Sequence, residues 1–531
     1  MANISDDDQH NVPGTVRLVD VNASERDIVL VPRPSSDPND PLNWSYRRKL
    51  LAISMAYLYV MGTGIATSLQ YSVLADIEAD TGISTANLVQ GTGVMFLFFG
   101  WACLIWQPLA LTYGRRGVYL ITMLLAVPIM VWTAYSPSAG EWFAHRVLIG
   151  IVVSPIESLC EVTVFDIFFA HSRGTYMGLY VFILFGSNFL APLVAGWFND
   201  AYGWRWTMHF GAILCAVCFV VMFFFMEETI YFRDAVIEGE EEERISVSRT
   251  TNSKEELPSP SPPSSFHREP TKQSQLSRYS LFRSLPGRPS NLGMLRMVYR
   301  PVLMIFHFPT VAWAGFLYGI NLAWYNVLNG TASPVLTDSP YNWSAALVGC
   351  VYTGPIIGAA LGSLWSGKVA DRIALHLARR NKGIREPEHR LWVLPISGVI
   401  SAAGLIIWGV GASRSIHWAG LVFGLGMLTF GVVTGGAIAV SYNVDCFKEI
   451  AGETTVSVMV IRNTIGFAFS YAITPWWTGQ GLQNCFVTAA MISIACTATF
   501  GVVIVYGKRI RRWSVPAYRR YLATTVVRQE E

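Results

Sequence analysis

Twelve runs of about 20 mostly apolar residues recur along this chain, each long enough to cross the hydrocarbon core of a bilayer as a helix. In the first half they lie near residues 50–72, 88–111, 117–135, 142–164, 175–198 and 206–227. In the second half they lie near 305–330, 344–365, 391–412, 416–442, 455–477 and 485–506. The expected fold is an all-α membrane protein whose twelve transmembrane helices form two pseudo-symmetric six-helix bundles. Composition agrees: only 14% of the 531 residues are charged, whereas a water-facing domain carries about 25%. The eight cysteines all lie in or beside apolar segments, and the Cys215–Cys218 spacing has no metal-site or redox context, so they read as small hydrophobes.

Lys and Arg fall in alternate short loops: YRRK (46–49), GRR (114–116), HSRG (171–174), the dense GKVADRIALHLARRNKGIREPEHR (367–390), Lys448 and KRIRR (508–512). The intervening loops hold little beyond Arg205 and Arg414. The positive-inside bias then puts both termini and the long central loop in the cytoplasm. The glycosylation sequon Asn342-Trp343-Ser344 falls outside, close to the eighth span. The opening MANISDDDQH is polar and acidic, unlike a cleavable leader, so the apolar core is expected to direct its own insertion.

Residues 1–45 read as a cytoplasmic tail, 46–228 as the first bundle, 229–299 as a cytoplasmic central loop, 300–507 as the second bundle and 508–531 as another tail. The central loop holds EGEEEER and PSPSPPSS among many Ser, Thr and Arg residues. That is too little apolar surface to fold alone, and disorder is the expectation.

The halves echo one another. QPLALTYGRR (107–116) follows the second span and GKVADRIALHLARR (367–380) follows the eighth. The first six residues of the later loop resemble the Gly-x-Leu-Ala-Asp-Arg signature of the major facilitator superfamily, with Gly367, Ala370, Asp371 and Arg372 matching. YGRR (113–116) resembles the tail of the same signature. DPNDPLNWS (37–45), Arg146 and Gly150, HSRG, GSNFLAPLVAG (186–196), EETIYFR (227–233), EPEHRLW (386–392), YNVDCF (442–447) and Arg462-Asn463 follow in order. Together they resemble the fungal twelve-helix drug:proton antiporter branch.

The resemblance implies two bundles flanking a midplane site. It further implies a cytoplasmic gate of Gly114, Arg115, Arg116, Gly367, Asp371, Arg372, Asp445 and Arg462, with Gly367 allowing close approach of the loop. It also implies an antiporter motif in the fifth span with Gly186, Pro192 and Gly196. Leu111 and Thr112 stand where the pattern has Asp and Arg, and Ala191 and Ala195 replace glycines. A weaker first-half gate is implied.

The stretch SPIESLCEVTVFD (154–166) sets Glu157, Glu161 and Asp166 at the end of the fourth span, where a mid-bilayer charge costs about 3 kcal/mol or more. On one continuous helix, Arg146, Gly150, Glu157 and Glu161 fall within an arc of about 60°, and Asp166 points away at the cytoplasmic exit. Arg146 and Glu157 would lie about 16 Å apart along it, too far to pair. Two readings of Glu157 stay open. It alternates between charged and neutral forms as a shifting cavity grants and withdraws water, with Glu161 and Arg146 in the same proton-coupling set. Or it is held permanently by Arg462 or another group of the eleventh span.

Tyr318, Asn321, Tyr325 and Asn329 form a polar stripe about 80° wide on the seventh span. With Asn188 and Tyr352 they are expected to line a substrate pocket; helix–helix hydrogen bonding is the alternative. Arg462 either snorkels to the cytoplasmic interface or, as the resemblance implies, pairs with Asp445 or Asp371 to close that side.

The resulting expectation is a proton-coupled exporter of a small organic molecule (drug, toxin or secondary metabolite), working by alternating access in the plasma membrane. Its partners are cargo, protons and the lipid bilayer, with no nucleic acid, and it works as a monomer with no cofactor or metal. The rival is proton-driven uptake of a nutrient or an organic cation such as a polyamine. The sequence has no His/Cys metal spacing, no phosphate-binding Gly loop with a Lys, and no Ser/His/Asp set with a supporting context, so an enzyme or an ATP-driven pump is not expected.

Overall fold

The computed structural model describes residues 12–17, 35, 37, 39–231, 280–282, 288 and 290–526. The first bundle comprises α1 (Tyr46–Ser68), the short α2 (Leu74–Thr81), α3 (Thr85–Tyr113), α4 (Arg115–Thr133), a broken fourth span of α5 (Ala139–Val153) and α6 (Leu159–Ile167), α7 (Ala170–Tyr202) and α8 (Trp204–Phe225). A helix α9 (Asn291–His307) then leads into α10 (Pro309–Thr337), the seventh span. The eighth consists of α11 (Ala345–Val351) and α12 (Thr353–Leu364), followed by the loop helix α13 (Ala370–Arg380), then α14 (Leu394–Ser413) and α15 (Trp418–Cys446). The long α16 (Ala451–Ala498) is two spans joined at Gly481, whose φ of 75° breaks the helix; α17 (Phe500–Trp513) completes the twelfth and α18 (Val515–Val526) follows. All twelve expected spans are therefore present, in two bundles of six.

The loops named above as basic all gather on one end of the molecule, called the basic face below. Ion pairs and a strand pairing tie them together there. Arg48 pairs with Glu227, and Arg115 with Asp166. β1 (Val16–Arg17) runs antiparallel to β2 (Ile384–Arg385).

Three boundaries differ from expectation. The seventh span starts at Pro309, not 305: α9 and α10 meet at 95° across Phe308, and proline suits the first position of a new helix because its missing N–H is not needed there. Residues 291–299, assigned to the disordered loop, form half of α9, and residues 300–307 belong to it rather than to a span. Ser290 caps that helix by accepting from the Gly293 N–H at 3.1 Å. The second tail is helical through Val526.

Small residues set the packing inside the second bundle. Gly354, Gly358 and Gly362 recur every four residues on α12 and lie against the Val422, Gly426 and Phe430 backbone carbonyls of α15. A Cβ at Gly358 would run into the Gly426 carbonyl. Gly358→Leu is therefore expected to cost about 1–3 kcal/mol, read as a lower melting temperature of the purified protein in detergent.

Candidate functional site

The fourth span breaks where Pro155 has no N–H to give to the Ile151 carbonyl. Trp106 Nε1 of α3 donates to that carbonyl instead, at 2.7 Å. Ser154–Glu157 form a tight 3₁₀ turn, and Tyr180 of α7 donates its hydroxyl to the Ile156 carbonyl at 2.9 Å. Irregular backbone at this depth persists because neighbouring spans satisfy the freed groups.

The break removes the continuous-helix face expected to unite Arg146 with Glu157 and Glu161. Arg146 sits instead with its guanidinium 4.4 Å from the Trp142 ring centre and 3.8 Å from Met95 Sδ. No carboxylate among the described residues pairs with it.

Glu157 is turned toward the second bundle. Arg462 of α16 pairs with Glu157 Oε1, and Asn463 Nδ2 donates to Oε2 at 2.7 Å. The Arg462 guanidinium also stacks 4.6 Å from the centre of the Tyr318 ring. Glu157, Arg462 and Asn463 are all buried, so this is a buried charge pair between the two bundles. Of the two sequence readings of Glu157, the pairing with Arg462 is what this conformation contains.

Arg462 consequently meets neither Asp445 nor Asp371, contrary to expectation. It lies eleven residues into α16, about 16 Å from the basic end of that helix and too deep to reach the loop. Asp445 is held by Arg385 at 3.5 Å and Arg390 at 3.3 Å, and Asp371 by Arg390 at 2.7 Å. Arg372 is exposed.

A cavity of about 210 Å³ lies between the bundles on the basic side. Gly174, Gly367, Asp371 and Arg390 line its outer part; Glu157, Glu161, Tyr180, Tyr318 and Arg462 line its depth. A smaller extension of about 50 Å³ runs past Tyr318 to Asn188, Tyr325 and Phe96. Glu161 borders the main cavity and makes no hydrogen bond or ion pair with another described residue. Of the two acids in the depth of the cavity, it is the one whose carboxylate is left to water or a ligand.

The polar stripe divides. Tyr318 and Tyr325 border the cavity or its extension, as does Asn188, which accepts from the Ser68 hydroxyl. Asn321, Asn329 and Tyr352 border neither. Asn321 Nδ2 donates to the Leu317 carbonyl at 2.8 Å, and Tyr352 donates to Asn329 Oδ1 at 3.0 Å. For Asn329 and Tyr352 the alternative reading, helix–helix hydrogen bonding, describes what is seen, whereas the Asn321 bond stays within α10.

Glycines report where the bundles touch. A Cβ at Gly174, Gly178, Gly186 or Gly367 would meet nothing within 4 Å, so the close approach expected at Gly367 is not used in this conformation. At the opposite end of α7, a Cβ at Gly196 would run into the Ala345 carbonyl, and Gly349 of α11 lies against the Pro192 carbonyl. Along α7 the bundles are thus clamped together away from the basic face and parted toward it, whereas α3 and α16 stay in contact there, Gln107 Nε2 donating to the Gly452 carbonyl at 3.1 Å.

The first-half loop acts within its own bundle. Gly114 turns the chain at φ 125°, where a side chain would collide with the Glu228 carboxylate. That carboxylate accepts the backbone N–H groups of Arg115 at 2.9 Å and Arg116 at 3.0 Å. Burial pushes the Glu228 carboxyl up while these N–H groups and Arg115 oppose the shift. Arg115 Nε reaches Asp166 at 3.0 Å, and Arg116 caps α8 through the Phe223 and Met226 carbonyls. Asn342 is exposed in the loop between α10 and α11.

Sequence reasoning gave no individual role to Asn463, Arg385, Arg390 or the buried pair of Glu388 with Arg511. Glu388 accepts from Arg511 Nε at 2.9 Å and Nη2 at 2.8 Å. The signal was present: EPEHRLW and KRIRR carry opposite charges in loops on one face.

Comparison with known proteins adds three kinds of likeness. An uncharacterised MFS-type transporter of Schizosaccharomyces pombe is 29% identical over 96% of this chain and 94% of its own length. Protein HOL1 of Saccharomyces cerevisiae is 28% identical over 92% and 91%, and the efflux pump FUBT of Fusarium oxysporum 24% identical over 87% and 73%. Among solved structures, the human organic anion transporter MFSD10 superposes with a TM-score of 0.56 at 14% identity, covering 85% of this chain and 99% of that one. A partially occluded inward-open form of the xylose transporter XylE from E. coli gives the same TM-score at 11% identity, over 85% and 97%. At such identity these two bear on the fold alone. The family model described as Major Facilitator Superfamily matches residues 56–475, most of the chain and both bundles, and the chain is therefore a transporter belonging to that superfamily.

Proposed function

We propose that this transporter exports a small organic molecule across the plasma membrane in exchange for protons, with its basic face in the cytoplasm. One observation carries the reading: a cavity open toward the basic face ends on a carboxylate, Glu161, that has no partner among the described residues, beside an ion pair that joins the two bundles. Glu161 is the proton-accepting group, reached by water while the cavity is open. Glu157 and Arg462 form the latch. Their attraction holds the bundles in the present arrangement, and protonation of Glu157 or approach of cargo weakens it, so the bundles rock and the cavity faces the other side. Asp371, Arg390 and Asp445 at the rim, with Arg385, form the charge cluster that would close the basic side. The name of one relative, the efflux pump FUBT, supports the outward direction.

The test uses the purified protein in vesicles with an imposed pH gradient and ethidium as the reporter cargo. Glu161→Gln is expected to abolish gradient-driven movement while leaving exchange of labelled for unlabelled ethidium across the membrane intact. Gradient-driven rates equal to wild type in the variant would remove Glu161 from the role. Uptake of an organic cation is the second reading, favoured by three acids, Glu157, Glu161 and Asp371, bordering one cavity and by Leu111 standing where the loop signature has an Asp. Cells expressing the protein would then accumulate labelled cation instead of excluding it.

A further inference from the structure

We propose that α9 and α18 form a platform that binds the anionic phospholipid headgroups of the leaflet on the basic face. Because α9 leaves α10 at 95°, it runs across the ends of the spans, in the plane of the membrane surface. Leu292, Leu295, Tyr299, Leu303 and Phe306 follow one another at steps of three and four along it and are 43% to 75% exposed. That is one continuous apolar row on a helix whose opposite side is already occupied: Met297 and Met304 are buried, Ser457 Oγ of α16 donates to the Pro301 carbonyl at 2.7 Å, and Arg300 pairs with Glu453 at 3.2 Å.

The row is continuous with a surface that already faces lipid. Val298, Val302 and Ile305 pack on Cys103 and Leu104 of α3, next to exposed Ile105. An amphipathic helix placed this way lies in the interface with its apolar side sunk below the headgroups.

The charges complete the match. Arg296 on α9 and Arg512 and Arg519 around α18 are exposed, and Trp513, also exposed, stands between them. The two helices are joined, since Arg300 Nη2 donates to the Tyr521 carbonyl at 3.1 Å and His307 Nδ1 lies 3.0 Å from the Tyr521 hydroxyl. Guanidinium groups held at headgroup level beside a sunken apolar row favour anionic over zwitterionic lipid. Through Ser457 and Glu453 the platform grips the start of α16, the helix that carries Arg462.

The experiment uses the full chain in vesicles of phosphatidylcholine, alone or mixed with phosphatidylserine. Nitroxide labels go on Leu295→Cys and Leu303→Cys in a background lacking Cys350 and Cys496, the two cysteines that are not fully buried. Oxygen is expected to relax both labels more than a water-soluble nickel chelate does; the reverse order would place the row in water and overturn the proposal. Bound spin-labelled phosphatidylserine is then expected to fall at least about fivefold on combining Arg296→Glu, Arg512→Glu and Arg519→Glu, with no change in phosphatidylcholine binding. The milder glutamine triple serves if charge reversal broadens the gel-filtration peak, and selectivity equal to wild type in it overturns the proposal. Displacement of the lipid by inorganic phosphate would also overturn it, because the site would then read a free anion.

Discussion

Arg462→Met alone is expected to destabilise the protein by about 3–5 kcal/mol, because it strands the Glu157 carboxylate in a buried setting with only Asn463 beside it. Glu157→Gln strands the guanidinium in the same way, relieved in part by the Tyr318 ring. The double variant Glu157→Gln/Arg462→Met leaves neither charge alone, and most of the loss should be recovered. Titration of the folded fraction with SDS gives the three values, and the double-mutant cycle gives the coupling. Losses that merely add would sink the inter-bundle pair. Gradient-driven transport in vesicles should be absent from all three variants, the well-folded double included. That outcome separates a latch needed for movement from a pair that only adds stability.

The second large effect belongs to Arg511. It is fully buried at the basic face, is bound through two nitrogens by Glu388, reaches Glu386 at 3.6 Å and donates to the Pro13 carbonyl of the N-terminal segment. A two-pronged guanidinium–carboxylate pair is stronger than a single-point contact and cannot be replaced by lysine without losing one prong. Arg511→Met is expected to cost about 3–5 kcal/mol by leaving Glu388 unpaired, and Arg511→Lys appreciably less. Limited proteolysis supplies a second readout: loss of Arg511 should release residues 12–17, exposing the Arg17 site to trypsin. Equal protection of that site in Arg511→Met and wild type would show that the segment is held by the strand pairing alone.

Much of the architecture was legible in the chain because the bilayer imposes a length. Spans of about 20 apolar residues are read by counting, and the alternation of arginine-rich loops assigns their ends. What counting missed was α9. Its pattern, Leu292, Leu295, Tyr299, Leu303 and Phe306, is helical but too interrupted by Arg296 and Arg300 to register as a span, and it was absorbed partly into the linker and partly into the seventh helix. The site was legible by residue type and not by geometry. Glu157 and Glu161 stood out as acids in oil, yet the face they share with Arg146 exists only if Pro155 is ignored. Proline inside an apolar run is a visible signal of a break, and here the consequence was to aim Glu157 at the other bundle.

Composition and spacing alone thus determined that the chain crosses a membrane twelve times in two halves, because apolar length and loop charge are local properties that no partner can change. Which acid is paired and which is left to the cavity was decided by tertiary structure. Arg462 is 305 residues from Glu157 in the chain, and nothing local distinguishes it from an arginine that snorkels to the surface or serves a loop. Only the approach of α16 to the broken fourth span brings the two charges together in a buried setting, and that same approach leaves Glu161 open toward the basic face.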